Sequence, residues 1–365
     1  MKQTNSYKQK LFFYLSMTIF LLLIISCGGS SKLGNSNVPV DIYVGGSSGG
    51  DYINDRVAVY WKNGEMIPLD TKPSKVTSIV IAGNDIYMGG YYIDTSVIFI
   101  EGDVGVERAG YWKNDKWIGL SNAKYGSSVR AIFVSGDDVY AGGYINRAGI
   151  KIAGYWKNGK WIGLSNAKYD SSVETIFVSG DDVYVGGYVA KSSGQIPGYW
   201  KNGEWIGLNS AKFGSTVLTI FVSGNDVYAD GYIWANYSEI PGYWKNGEWV
   251  VLPYLSERKF ASVRSIFVSG NDVYAGGYSR DNSGISIACY WKNGEIIPLL
   301  SVPKWSHVNS IFVSGKDVYA GGESRDSEGS EIVGYWKNGE WVKLDSRGDY
   351  PYVTSIVVVP RAVAQ

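Results

Sequence analysis

The pair Tyr-Trp recurs at 60–61, 111–112, 155–156, 199–200, 243–244, 290–291 and 335–336. Fixed-period recurrence of this kind constrains a fold more than any composition, because each unit is one supersecondary element that buries its apolar face only against its neighbours. One unit reads SVRAIFVSG-DDVYAGGY-loop-IAGYWKNGKWIGL, starting at Ser128. It holds four short β-rich runs: A (VRAIFV), B (DVYAGG), C (AGYWK) and D (KWIGL). Helical periodicity is absent, and the 47 Gly and 15% aromatic content suit short strands joined by tight turns. Four strands per unit of this length is the pattern of a β-propeller blade.

The chain ends set the count. Run A begins at Val76, Val129, Val173, Val217, Val263, Val308 and Val353, whereas the first run B, at 41–46, has no A before it. The last A, 353–359, has no B after it. The expected fold is all-β: a seven-bladed β-propeller of four-stranded blades over 40–359, with 360–365 as a tail. The C-terminal strand A completes the blade begun by the N-terminal strands B, C and D. Such closure removes the free sheet edges of an open array.

Within each unit, Asn-Gly between C and D is the hairpin signal of a type I′ turn. It predicts that Trp112 faces Trp117, Trp156 faces Trp161, Trp200 faces Trp205, Trp244 faces Trp249 and Trp336 faces Trp341, with Lys201 opposite Glu204. Twelve of the 14 Trp belong to this hairpin and read as packing. Asp85, Asp138, Asp182, Asp226, Asp272 and Asp317 sit in separate A–B turns, where Asp is expected to bond its own backbone. Cys289, in a position usually occupied by Gly, reads as a small buried residue.

The unit resembles a kelch-type, galactose-oxidase-like repeat. The likeness rests on Gly142-Gly143, Gly186-Gly187, Gly276-Gly277 and Gly321-Gly322 after strand B, Tyr111 and Tyr155 in C, and Trp117 and Trp161 in D. It departs in its two-residue Asn-Gly turn, its extra Trp in C, and Asp230-Gly231 for Gly-Gly. Propellers of this type include oxidases and pure binding modules, so the resemblance implies architecture and no activity. The near-identical units are also similar to those of repeat lipoproteins of unknown role in host-associated bacteria.

The N-terminus is separate. Lys2, Lys8 and Lys10 precede the apolar run 11–25, and Ser26-Cys27 follows. This is a secretory signal over 1–26. Its end resembles a bacterial lipobox, which implies that Cys27 is the lipidated first residue of the mature chain. An uncleaved anchor with an ordinary Cys is the other reading. Residues 27–39 form a Gly/Ser/Asn-rich tether. The expected location is the bacterial cell envelope, with the outer membrane favoured because Gly28 and Gly29 offer no Asp retention signal. The membrane is then one partner, through lipidated Cys27.

With 34 basic and 34 acidic side chains, the chain lacks the basic balance of a nucleic-acid binder. Two Cys and one His call for no disulfide framework, metal or cofactor. Residues required by the fold recur in every blade, so ligand contacts are sought among those that do not. The A–B and C–D turns are monotonous, and the variation lies in the B–C and D–A loops on the opposite face. The D–A loops place an aromatic after Lys at Tyr125, Tyr169, Phe213, Phe260 and Trp305, and Tyr237, Trp234 and His307 belong to the same loop set. One strand-A position varies as Thr77, Arg130, Glu174, Leu218, Arg264, Asn309 and Thr354, of which Arg130, Glu174 and Arg264 are expected at the channel mouth. Two readings fit: a contact surface for a protein or glycan, or aromatics plugging the gaps between blades with solvated Lys. A polysaccharide-acting enzyme using Glu174, Asp230 or Glu323, and a structural or variable surface antigen, are the alternatives in other classes.

Overall fold

The computed structural model describes residues 39–49, 55–98, 104–165, 169–192, 194–208, 213–235, 238–302, 304–348 and 350–361. They form seven four-stranded antiparallel sheets, each a meander of strands A to D. Blade 1 is the split one, in the order Tyr352–Pro360, Val40–Ser48, Val57–Lys62, Glu65–Pro68. Blades 2 to 7 begin at inner strands Ser74–Ala82, Ser127–Ser135, Ser171–Ser179, Phe213–Ser223, Ala261–Ser269 and Lys304–Ser314. The inner strands neighbour one another all the way round, including Tyr352–Pro360 against Ser74–Ala82. The chain is therefore a closed seven-bladed β-propeller.

The seam is strand-paired from Val40↔Pro360 to Ser47↔Tyr352. It runs slightly past the expected boundary: Arg361 N–H donates to the Pro39 carbonyl, and its guanidinium meets Asp41 at 2.8 Å. Residues 362–365 of the expected tail lie outside the described residues, as do the apolar run 11–25 and Cys27. Among the described residues no helix is long and apolar enough to cross a membrane.

The hairpin registers match expectation, with Trp156↔Trp161 and Lys201↔Glu204 as pairs. The five Trp pairs have ring centroids 4.4–4.5 Å apart, and the Trp of strand C is buried in every blade. The strand-D ring leans over the residue before Tyr-Trp. A Cβ at Gly110 would lie 2.2 Å from the Trp117 ring, and one at Gly154 would lie 2.4 Å from Trp161. Where strand D carries Met66 or Ile296 instead, that residue is Val59 or the fully buried Cys289. Gly there is the complement of the Trp, which explains why Cys289 is tolerated.

The turn residues do something the sequence did not predict. Each A–B Asp bonds across to the neighbouring C–D turn rather than to its own backbone. Asn158 Nδ2 donates to Asp138 at 2.6 Å, Val139 N–H donates to Asn158 Oδ1 at 2.9 Å, and Lys157 pairs with Asp138 at 2.7 Å. The same set recurs at Asp182, Asn202 and Lys201, so Lys201 meets Asp182 and not Glu204. The Asp carboxyls are held below their ordinary range, first by the Lys ammonium in blades 2 to 4 and first by the Asn amide in blades 5 and 6. One face of the ring is thus a repeated lock between adjacent turns.

Blades are also joined by hydroxyls on the inner strands. Ser355, Thr175, Thr219, Ser265 and Ser310 accept from the backbone N–H of Ile79, Ile220, Ile266, Ile311 and Ile356 of the next blade. Phe133, Phe177, Phe221, Phe267 and Phe312 form an arc along the same strands at centroid distances of 4.8–5.1 Å.

Candidate functional site

The face opposite the turn lock is where the blades stop being alike. Every inner strand carries a β-bulge after its first Val, and the varying residue sits in that bulge. Freed from the ladder, it reaches around the channel. Thr77 Oγ1 donates to Gly89 O or Val129 O, both at 3.0 Å, and Thr354 Oγ1 reaches Gly45 O and Val76 O. Arg264 donates to Asn309 Oδ1 at 2.6 Å, and Asn309 Nδ2 reaches Val353 O at 2.9 Å. Arg130, Glu174 and Arg264 stand in the bulges at this end of their inner strands.

Two clusters stand there. In blades 6 and 7, Glu323 accepts from Asn309 Nδ2 at 2.5 Å and lies 3.7 Å from both Arg264 and His307 Nδ1. His307 is buried between the rings of Tyr278 at 4.2 Å and Trp305 at 4.3 Å. Burial pushes its imidazole below the ordinary range, against the pull of Glu323 and with the help of Arg264 and Arg280. In blades 1 to 3, cations alternate with tyrosine rings. Lys75 Nζ lies 4.5 Å from the centroid of Tyr352, and Arg56 lies 5.8 Å from the same ring. Arg130 lies 6.0 Å from Tyr91 and 5.4 Å from Tyr144. Tyr144 Oη donates to Glu107 at 2.8 Å across the blade joint, and Ser172 Oγ donates to Glu174 at 2.6 Å. A recess of about 180 Å³ opens beside them at the junction of blades 2 and 3, lined by Glu107, Tyr125, Tyr144, Asn146 and Lys151 among others.

The aromatics of the D–A loops differ from blade to blade in exposure. Tyr125 and Tyr169 project outward, 38% and 44% exposed, four residues before the first Val of their strands. Phe260 and Trp305 lie three residues before theirs and are capped by arginines, with Arg280 over Phe260 at 3.9 Å and Arg325 over Trp305 at 4.5 Å. One residue of register separates the exposed rings from the packed ones. Phe213 and Trp234 are paired in backbone register across strands A and B of blade 5, and Tyr237 lies outside the described residues. Asp230 is not at the mouth. It is fully buried in the blade, where its Oδ1 accepts from the Thr219 N–H and hydroxyl. No substrate reaches a carboxyl in that position.

Sequence reasoning missed Lys75, Glu107 and Tyr352. Lys75 and Tyr352 break one column, which reads Ser, Thr or His in the other blades, whereas Glu107 stands in a column that is Glu again at Glu239 and Glu331 and Arg, Lys, Gln or Ser elsewhere. That signal was available but lies in strands that otherwise read as scaffold.

No protein-family model matches the chain, and no curated protein matches it. Among solved structures, it is similar to a mutant of Aleuria aurantia lectin in complex with α-methyl-L-fucoside, at 15% identity over 75% of this chain and 94% of that one, with a TM-score of 0.42. It is also similar to the β-propeller domain of the Trilobed protease from Pyrococcus furiosus, at 14% identity over 85% and 96%, with a TM-score of 0.49. That domain is described as having an open velcro topology. Here the seam is closed by the pairing of Val40–Ser48 with Tyr352–Pro360.

Proposed function

We propose that this protein is an extracytoplasmic binding module of the bacterial envelope, tethered to a membrane through lipidated Cys27. Its kelch-like propeller presents the B–C and D–A face to a protein or glycan partner. One observation carries the reading: charged and aromatic residues that break the blade pattern collect at a single end of the channel, while the other end repeats the same lock. A repeated surface offers every ligand the same contacts; a mouth with one arrangement of charges selects among them.

The tether is tested by Cys27→Ser. The wild-type chain is expected in the membrane fraction and labelled by an alkyne fatty acid, and the variant unlabelled. Equal labelling of both would refute lipidation at Cys27. The binding face is tested with Glu174→Gln plus Tyr169→Ser on an array of glycans and envelope proteins, against Glu204→Gln plus Glu248→Gln on the turn face. The first pair is expected to weaken a saturable partner at least about tenfold, or 1.4 kcal/mol. The second pair is expected to leave it unchanged. Loss confined to the turn-face pair would assign binding to the wrong end.

A further inference from the structure

We propose that the mouth of blades 1 to 3 binds an acidic saccharide, with its carboxylate or sulfate against Lys75 and Arg130 and an adjoining sugar in the recess beside Tyr144. The inference rests on the loop-face reading above and names the ligand class.

The carboxylates of the mouth already have partners. Glu323 is bonded by Asn309, Glu107 accepts from Tyr144, and Glu174 accepts from Ser172. The cations of blades 2 and 3 are matched only in part. Among the described residues the Lys75 ammonium makes no hydrogen bond or ion pair, and it rests on the Tyr352 ring. Arg130 makes no ion pair within 4 Å, though Glu174 and Glu107 favour its charge from farther off and Tyr144 bonds to it; its buried Nε has no hydrogen-bond partner. Lys75 pairs in backbone register with Tyr91, whose ring lies 6.0 Å from the Arg130 guanidinium, so the two cations belong to one neighbourhood. An ammonium that no carboxylate touches, beside a buried guanidinium nitrogen without a partner, forms a seat for an anionic group.

Burial, together with Arg56 and Arg130, lowers the Lys75 ammonium to about 8, while Glu323 and Glu107 pull the other way. The imbalance is one that a bound anion would correct. Lys75 is also a departure from the blade pattern. The position of Lys75 is Ser128, Ser172, Thr216, Ser262, His307 and Tyr352 elsewhere.

The neighbouring recess argues for a saccharide over an acidic peptide. Tyr144 is shared: Arg130 lies on its ring at 5.4 Å and Lys151, from the recess, at 4.8 Å. Beside it stand a carboxylate, an amide and the exposed Tyr125. Carboxylate and amide oxygens accept hydrogen bonds from hydroxyls, and tyrosine faces cover the apolar side of a sugar ring. At about 180 Å³ the recess is smaller than a drug-sized pocket of ~300–1,000 Å³, which suits a single ring. A ligand with one anionic group and several hydroxyl donors fits this mixture. An aspartate or glutamate side chain supplies only the anion.

The test is calorimetric titration with four probes: a hyaluronan tetrasaccharide, a sulfated galactan tetrasaccharide, neutral cellotetraose and tetraglutamate. It uses the wild type, Lys75→Gln and Arg130→Gln, with folding checked by near-ultraviolet tryptophan dichroism. At least one acidic saccharide is expected to bind at least about tenfold tighter than cellotetraose. Either variant is expected to lose at least about tenfold, and salt is expected to weaken binding. In chain labelled by ¹³C-dimethylation, the Lys75 resonance is expected to titrate at higher pH once the saccharide is bound. Equal binding of cellotetraose, binding of tetraglutamate alone, indifference to both substitutions, or no binding of either acidic saccharide would each overturn the proposal. A partner found on the loop face that ignores Lys75→Gln but is lost with Glu174→Gln plus Tyr169→Ser would leave the binding-module reading standing without the acidic ligand.

Discussion

Cutting the chain after Pro351 is expected to abolish the folded ring. The lost segment is the inner strand of blade 1, which pairs with Val40–Ser48 and neighbours the inner strands of blades 2 and 7. Val353, Ile356 and Val358 on it are almost fully buried. At about 1.5–3 kcal/mol for each buried side chain, their loss amounts to roughly 5–9 kcal/mol. That is comparable to the whole stability of an ordinary domain, about 5–15 kcal/mol. The cut also exposes the edge of Val40–Ser48 and frees the hydroxyl contacts Ser355 and Thr354 make to blade 2. Far-ultraviolet dichroism and size-exclusion chromatography should show an aggregating chain without a cooperative melt. A chain cut after Arg361 keeps every described contact and should melt like the full length. If the shorter chain melted within a few degrees of the longer one, the seam would not hold the ring.

Replacing Asp230 with Gly is expected to stabilise the protein, increasingly as pH rises. Asp230 occupies the first position of the Gly-Gly pair. At the matching glycines a Cβ would lie 2.8 Å from a Val of the next blade, as at Gly142, Gly186 and Gly276. The carboxyl there is fully buried, with Oδ2 unpartnered, and burial raises its titration to about 7 against the two Thr219 hydrogen bonds. Since the folded value exceeds the unfolded value, about 3.9, the folded state holds the proton more tightly. The group's contribution to stability is full below about pH 4, declines as pH rises, and is lost above about pH 7. Asp230→Gly should therefore exceed the wild type by about 1–3 kcal/mol at pH 8, the cost of an unsatisfied buried polar group. The gap should narrow at pH 5. Urea titrations at the two pH values measure it. A gap that is the same at both would show that the carboxyl's charge is not its source.

Much of the scaffold was legible because it is written in local chemistry. Asn-Gly specifies the C–D turn and places Trp opposite Trp, whatever the rest of the chain does. Gly before Tyr-Trp accompanies Trp in strand D, and Val59 and Cys289 accompany Met66 and Ile296; both members of each pairing lie within one hairpin. The Asp–Asn–Lys lock was misread because its partners lie about 20 residues apart and meet only when two turns of the blade stand side by side. Which D–A aromatics are exposed was left open by the sequence for a smaller reason. A shift of one residue before a β-bulge turned Tyr125 and Tyr169 outward and placed Trp305 between His307 and Arg325.

The repeat alone determined seven four-stranded blades, and the incomplete units at the two ends determined that one blade is shared between them. Those conclusions follow from hydrogen-bond topology and turn geometry, which depend on neighbours in sequence. Which side chains face one another across the channel was decided only by the tertiary structure. Lys75 and Tyr352 stand 277 positions apart, yet touch because Tyr352–Pro360 closes against Val40–Ser48 beside Ser74–Ala82. The bulge in each inner strand, invisible in the repeat itself, releases one residue per blade toward the axis. Ring closure supplies the distances, and the charges that meet there are the part of the chain the repeat leaves free to vary.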